Sequence, residues 1–280
     1  MPLQFSQARQ KLYQLAREEK PRLAEAALWI AQEEYSDLNP QACLTQLDQM
    51  AQDIREILPD PPYLLKVIKS INKYLFEHLE FAGNEAEYYD PRNSYLNQVL
   101  IRRKGIPITL SLIYLDITEQ LNFPMEGVNF PGHFLIRPLD ENSEFYVDPF
   151  NGGEILFAED CQEKLNQLVG RPMQLTPSLV KTITPQSFLV RMLNNLKHIY
   201  LTKQDVNRSL AACERILLVD PEQTEELRDR GLLYYQLGRW QEARQDLEDF
   251  LDLHSNSPDI QVLEQILKNI ESGEGPDNTD

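Results

Sequence analysis

The chain is 280 residues long and strongly acidic, with a formal net charge of −17 at pH 7 and a pI of about 4.7. This length allows two domains, and a hydrophobic content of 42% allows a full core. So acidic a surface repels phosphate backbones, and the one short basic cluster, Arg102-Arg103-Lys104, does not offset it. We therefore expect no nucleic-acid partner.

The cysteines and the N-terminal segment both bear on the cellular compartment. Cys43, Cys161 and Cys213 stand far apart, without the spacing of a zinc site or a disulfide framework, and free thiols fit a reducing compartment. Residues 1–20 lack the apolar segment of a signal peptide, and no apolar run has membrane-spanning length. We expect a cytoplasmic protein without a membrane partner, and the oligomeric state stays open.

Helical patterns fill the first part of the chain. Apolar residues recur at helical spacing over residues 21–49, with a turn that restarts the helix at Pro40. A second amphipathic stretch covers residues 63–79. A short helix is predicted over residues 95–102, with Ser94 as its N-terminal cap.

One further helix is predicted to be central and buried. Residues 108–121 are apolar on most sides, and Pro107 suits the first turn of a helix. We expect Leu112 of this helix to pack on a sheet that carries Phe134 and Tyr146.

Two apolar runs after this helix, residues 128–137 and 144–148, predict a pair of antiparallel strands. His133 lies near the start of the first run and Asp148 ends the second, so we expect the two side chains at the same end of neighbouring strands. A carboxylate in that position holds an imidazole by its N–H group and fixes its tautomer. Asn129 is a further candidate for the same cleft.

The pattern changes to helix pairs after a polar, proline-containing segment at residues 170–185, which we interpret as a linker. The pairs repeat after about 34 residues, the period of a tetratricopeptide repeat. The second copy has small and aromatic residues at the expected positions, including Gly231, whereas the first has Lys197 at the equivalent position. Two repeats bury little surface, so we expect them to dock on the preceding domain or to use residues 260–270 as a capping helix.

Four segments carry a resemblance to a known family. A buried helix, a strand with a histidine and a strand ending in Asp-Pro follow the order of the papain-like, or transglutaminase-like, core. The segments are RNSYLN at 92–97, RRKGIP at 102–107, GVNFPGHF at 127–134 and VDPF at 147–150. Over residues 23–253 the chain resembles the bacterial transglutaminase-like proteins with C-terminal tetratricopeptide repeats, the Sir-type invasion-regulator branch.

The resemblance implies an α+β fold in which a papain- or transglutaminase-like core with N-terminal helices precedes an all-α repeat region. The expected domains are an N-terminal helical region at residues 1–62, the transglutaminase-like core at 63–180, and the tetratricopeptide repeats with their capping helix at 187–270. A disordered tail is expected at 271–280.

The chain departs from the family at the nucleophile. Transglutaminase-like enzymes place a cysteine at the N-terminus of the central helix, where the helix dipole favours the thiolate. That position falls at about Pro107 here. Thr109 and Ser111 carry the nearest downstream hydroxyl groups, and each is either a working nucleophile or a capping or packing residue. Cys161 follows Asp148 in the sequence and is interpreted as a structural thiol.

Two classes of function follow. The first is a non-catalytic transglutaminase-like scaffold, with a regulatory role among its uses, that binds a protein or peptide through its cleft and repeats; His133 and Asp148 are then a structural remnant. The alternative is a cysteine-independent hydrolase or acyl-transfer enzyme that uses His133 and Asp148. The absent cysteine favours the scaffold. We expect no cofactor and no metal, because no third ligand lies near the pair in sequence.

Overall fold

The computed structural model describes residues 6–139 and 144–273. The chain divides into two compact units, one ending at Phe188 and the other beginning at Leu189. Helices dominate both units and small sheets occupy part of the first, so the predicted α+β class is confirmed. Within these described ranges, no helix is both long and apolar enough to cross a membrane.

The helices of the first unit follow the sequence pattern with two differences. They are α1 (Gln7–Leu15), α2 (Leu23–Gln32), α3 (Pro40–Ile57), α4 (Leu64–Asn72), α5 (Leu96–Arg102), α6 (Pro107–Gln120) and α7 (Ala158–Val169). Helix α1 lies in the N-terminal helical region expected at residues 1–62, although the residue pattern itself predicted no helix before residue 21. Helix α3 begins at Pro40 as predicted, because the Asn39 side chain accepts hydrogen bonds from two backbone N–H groups of its first turn. Helix α4 continues into a π-helical segment, Lys73–His78.

The cap predicted for α5 is wrong. A 3₁₀ turn, Pro91–Asn93, ends at Ser94 and leaves Tyr95 as the N-cap residue, without a side-chain hydrogen bond. The buried hydroxyl of Ser94 has no hydrogen-bond partner among the residues the structure describes.

Two sheets lie in the first unit. Strands β1 (Ala82–Gly83) and β2 (Lys104–Gly105) form a short parallel pair that leads into α6. The main sheet is antiparallel, in the order β3 (Met125–Phe130), β4 (His133–Pro138), β5 (Tyr146–Asp148) and β6 (Glu154–Leu156). Residues 140–143, between the two predicted apolar runs, lie outside the described residues.

The single strand predicted over residues 128–137 is instead two strands. Pro131 and Gly132 turn the chain between β3 and β4, so that Phe130 pairs with His133. Gly132 has a φ of +68°, in the left-handed region that glycine adopts without steric cost. His133 therefore stands directly after a tight turn, at the first position of its strand.

Helices cover both faces of the main sheet. Side chains alternate between the two faces along each strand. Leu135 and Tyr146 pack with Cys161 and Leu165 of α7. Helix α6 packs against β3 and β4, and its Leu112 is only 1% exposed, as predicted. The predicted contact between this helix and Tyr146 is wrong, because Tyr146 belongs to the α7 face.

The polar segment at residues 170–185 is packed rather than a free linker. Leu175, Leu179 and Val180 contact the cluster on the α7 face. The carbonyl of Lys181 accepts a hydrogen bond from the backbone N–H of Asn129 at 2.9 Å. The segment therefore extends the sheet beyond β3, and its polar composition gave no indication of this packing.

The second unit consists of helix pairs. Its helices are α8 (Pro185–Thr202, which begins within the first unit), α9 (Val206–Val219), α10 (Glu225–Gln236), α11 (Trp240–Leu253) and α12 (Ile260–Ser272). Gly231 allows α10 and α11 to approach closely, because a Cβ atom there would lie 2.8 Å from Leu247. Helix α12 packs on both preceding helices, in the capping position predicted for residues 260–270. Most of the predicted tail, residues 274–280, lies outside the described residues.

Lys197 gives the first repeat an ionic contact at the place of the usual small residue. Its Nζ lies 2.5 Å from Oε1 of Glu226 and 2.9 Å from Oδ2 of Asp229, and its side chain is 12% exposed. Helices α8 and α10 are thus joined by a largely buried ion pair. The first repeat departs from the tetratricopeptide pattern at Lys197 because an ion pair, rather than close packing of a small residue, joins the two helices there.

Candidate functional site

The site is centred on His133 and Asp148. In the pairing of β4 with β5, Ile136 stands opposite Val147, which brings the start of β4 close to the end of β5. The His133 Nε2 atom lies 2.9 Å from Oδ1 and 2.8 Å from Oδ2 of Asp148. The predicted contact is therefore present. The catalytic role of the pair stays a prediction.

The Asp148 carboxylate is fully buried and accepts several further hydrogen bonds. Its Oδ1 accepts from the backbone N–H groups of Phe150 and Asn151 at 3.1 and 3.3 Å. Its Oδ2 accepts from the Asn151 side chain at 2.8 Å and from the Lys164 ammonium at 2.6 Å. The chain folds this way locally because Asp148 caps a 3₁₀ turn, Pro149–Asn151, whose N–H groups point back at it.

These contacts keep Asp148 ionised. Burial alone raises the pKa of the carboxyl group, but the hydrogen bonds from His133, Lys164 and Asn151 outweigh burial and lower the pKa to about 2. An ionised carboxylate orients the imidazole through its contact with Nε2. This arrangement can support a general base, provided that a nucleophile stands beside the other ring nitrogen.

Phe150 lies between the pair and the start of the central helix. Its ring is 5.8 Å from the His133 ring, edge to face. It also covers Gly83 of β1, where a Cβ atom would come within 2.6 Å of the ring. Strand β1 pairs with β2, which directly precedes α6. The Phe150 ring therefore contacts both His133 and a strand next to the start of α6.

The first turn of α6 offers no free nucleophile. Its first residue is Pro107, which is buried and has no reactive side-chain atom. The Thr109 hydroxyl donates to the Asn93 carbonyl at 2.8 Å and accepts from the Ile106 N–H at 3.1 Å. Thr109 therefore caps the helix, which is one of the two roles expected of it.

Ser111 lies deeper in the same helix. It is completely buried, and among the described residues its hydroxyl has no hydrogen-bond partner. A serine without a hydrogen-bonded base is not activated as a nucleophile. Its position fits the packing role considered for it.

The cysteines are also poor nucleophiles. Burial raises the pKa of the Cys161 thiol to about 11, and Cys161 packs among the apolar residues of the α7 face. Burial raises the pKa of Cys43 and of Cys213 as well. At neutral pH all three are held as thiols, which react slowly.

The structure replaces one predicted site residue and adds three. The side chain of Asn129 is exposed and belongs to the sheet face opposite His133, since Asn129 pairs with Phe134. The asparagine beside the pair is Asn151. Its position three residues after Asp148 in an Asp-Pro turn was a readable signal. Lys164 and Phe150 had no comparable signal, because their positions depend on how α7 and the 3₁₀ turn pack.

No group of three or more metal-ligating side chains occurs within residues 6–139 and 144–273. The donors around Asp148 are an imidazole, an ammonium, an amide and backbone N–H groups, and the ammonium occupies the position that a cation would need. Hydrogen bonds and the ion pair with Lys164 therefore organise the surroundings of Asp148.

Comparison with known proteins agrees with the fold and the motifs. The sequence profile of the transglutaminase-like superfamily matches residues 41–194, and a tetratricopeptide repeat profile matches residues 196–268. A UPF0162 protein of Xylella fastidiosa strain 9a5c is 38% identical over 244 residues, covering 86% of this chain and 87% of that protein. A UPF0162 protein of Pseudomonas aeruginosa is 31% identical over 245 residues, covering 88% and 89%.

The similarity extends beyond bacteria. Human F-box only protein 21 is 35% identical over 189 residues, which cover 63% of this chain and 29% of that protein. The bacterial matches, in contrast, span most of both chains. The chain belongs to the UPF0162 proteins of the transglutaminase-like superfamily, with tetratricopeptide repeats following the transglutaminase-like domain.

Proposed function

We propose that this protein is a non-catalytic transglutaminase-like scaffold that binds a protein or peptide partner through the cleft at His133 and Asp148 and through its repeats. The observation that carries the proposal is that α6 begins with Pro107. The resemblance to the family puts the cysteine at about this position. The nearby Thr109 hydroxyl is used in capping and the Ser111 hydroxyl has no base. Tetratricopeptide repeats favour a protein partner.

The pair itself favours the alternative, an acyl-transfer enzyme or hydrolase that works without cysteine. A buried, ionised Asp148 bound to Nε2 of His133 is the arrangement that such chemistry requires. This alternative needs a nucleophile from outside the groups discussed above, such as a water molecule held by His133.

Partner capture tests the scaffold proposal. Proteins retained by the full chain are compared with those retained by His133→Ala and by a chain ending at Phe188, with circular dichroism as the check on folding. We expect a partner that is retained by the full chain, released unmodified, and weakened by loss of the repeats. A partner that is retained only as a covalent adduct, and not by His133→Ala, would support the enzyme instead.

A further inference from the structure

A groove lies along α4 and the π-helical segment that follows it. One cavity, of about 450 Å³, is lined by Lys66, Lys69 and Lys73 together with Ile57, Tyr74 and His78. A second, of about 190 Å³, shares Tyr74 and extends to Leu79 and Arg103. We call the two cavities together the α4 groove. None of its lining residues belongs to the cleft at His133.

The helix repeat produces the lining. Lys66, Lys69 and Lys73 are spaced three and four residues apart, so they share one face of the helix. The opposite face buries Val67 and Ile71 completely in the core. The exposed face of α4 and of the residue that follows it carries three lysines, and the next acidic residue along this stretch is Glu77.

The cations of the groove form no ion pair among the described residues, whereas several other cations are held by carboxylates. Lys66, Lys69, Lys73 and Arg103 make no ion pair within the described ranges, and all four are exposed. Other cations are held by carboxylates, as Lys164 is by Asp148. With acidic residues exceeding basic ones by 17, a cluster of unneutralised cations is a local reversal of the surface charge.

One carboxylate faces the groove wall. Asp53 accepts a hydrogen bond from the Tyr74 hydroxyl at 2.5 Å. Its partner at the groove wall is thus this hydroxyl and not a lysine. The residues lining the two cavities include no aspartate or glutamate. The charged side chains that line the two cavities are therefore lysines and an arginine.

The groove also has apolar surface. Ile57 is 56% exposed at its wall, and Tyr63 and Leu65, beside the start of α4, are 60% and 45% exposed. A free phosphate would neutralise the lysines but leave the apolar side chains exposed to water. A polynucleotide would bring a long row of charges against a chain of net charge −17. A segment with carboxylates around one large apolar side chain satisfies both parts of the groove.

We propose that the α4 groove is a docking site for an acidic peptide segment of a partner protein. Carboxylates of the segment lie against Lys66, Lys69 and Lys73, and an apolar side chain enters the cavity beside Ile57. This surface is additional to the cleft and the repeats. Its use does not depend on whether His133 and Asp148 perform chemistry.

Fluorescence anisotropy tests the proposal with the full chain. The probe is a labelled peptide of aspartate and glutamate with one central phenylalanine. Lys66→Glu, Lys69→Glu and Lys73→Glu are combined in one variant, and Ile57→Ser forms a second. We expect the triple variant to bind the probe at least about 10-fold more weakly, because three favourable charge pairs become repulsive. Ile57→Ser is expected to weaken binding of this probe, but not of a second probe in which the phenylalanine is replaced by glycine.

A matched control variant combines Lys11→Glu, Lys20→Glu and Lys203→Glu, which are exposed lysines that do not line the groove. It changes the net charge by the same amount and is expected to bind the probe nearly as the wild type does. Equal weakening in the control and groove variants would overturn the proposal, as would absence of saturable binding. Displacement of the probe by inorganic phosphate alone, or tighter lysine-dependent binding of single-stranded DNA, would likewise overturn it.

Discussion

At the scale of single residues, Asp148 is the charge around which the cleft is built. It holds His133, caps the turn that follows β5 and neutralises Lys164. The pKa of its carboxyl group falls to about 2 in the fold, against about 3.9 in an unfolded chain. A lowered pKa stabilises the folded state at every pH above the unfolded value, and this stabilisation is lost as the pH falls through the folded value.

Replacement of Asp148 by asparagine should therefore cost stability in a pH-dependent way. At neutral pH we expect Asp148→Asn to lower the free energy of unfolding by about 2 kcal/mol or more, since Lys164 also loses its buried counter-charge. The difference from wild type should shrink between about pH 4 and pH 2. Urea unfolding across this range measures it, with Glu159→Gln as an exposed control. A difference that stays constant down to pH 2 would show that the carboxylate is not held ionised.

Thr109 permits a second test at this scale. Thr109→Val keeps the shape of the side chain but removes the hydroxyl that joins Ile106 and Asn93. Buried backbone groups then lose their partners, so we expect a loss of about 1–3 kcal/mol in the free energy of unfolding. Thr109→Ser keeps the hydroxyl and should be much closer to wild type. If both variants were equally stable, capping would not be the role of this residue.

How far the sequence predicts the site differs from residue to residue. The contact of His133 with Asp148 was predictable, because strand order and a short-range register place the two together. The position of Asn129 on the face opposite His133 has a physical cause. A residue on a strand alternates between faces, so nearness to His133 in sequence does not place it on the same face. Lys164 depends on the packing of α7 and has no local signal.

At the scale of secondary-structure elements, the sequence predicts those features that have a local signal and misses those that have none. The central helix followed from its apolar composition, and α6 matches it closely. The division of one predicted strand into β3 and β4 was readable from the Pro131-Gly132 dipeptide, a common turn signal. The π-helical segment after α4 and the packing of residues 170–185 on the sheet have no periodicity of their own. They arise from tertiary contacts.

The repeat helices permit a test at the same scale. Lys197 links α8 to α10 through Glu226 and Asp229, and both carboxylates are largely shielded from solvent. Lys197→Ala leaves Glu226 without its ion-pair partner, while Asp229 keeps Arg228. We therefore expect the second unit to lose about 3 kcal/mol of stability. Thermal unfolding followed by circular dichroism measures the change, with the exposed Lys203→Ala as control. Unchanged unfolding would mean that the ion pair adds nothing beyond what a small residue provides.

At the scale of the whole molecule, the chain combines a transglutaminase-like domain with helical repeats. The domain holds His133 against a buried Asp148, and its central helix begins with a proline. Three surfaces are proposed to bind partners: the cleft at His133, the repeats, and the α4 groove, which is basic in an otherwise acidic chain. Each suits recognition, and the three can be altered separately by point substitutions.

The most direct measurement of the central claim is turnover of a peptide amide. Purified wild-type protein is incubated with a glutamine-containing peptide, with and without an amine acceptor, and release of ammonia or transfer product is followed beside His133→Ala. We expect wild type and His133→Ala to be alike and indistinguishable from buffer, because neither has an activated nucleophile at the start of α6. Turnover by the wild type that disappears in His133→Ala, while fold and expression are unchanged, would contradict this account and identify the protein as an enzyme.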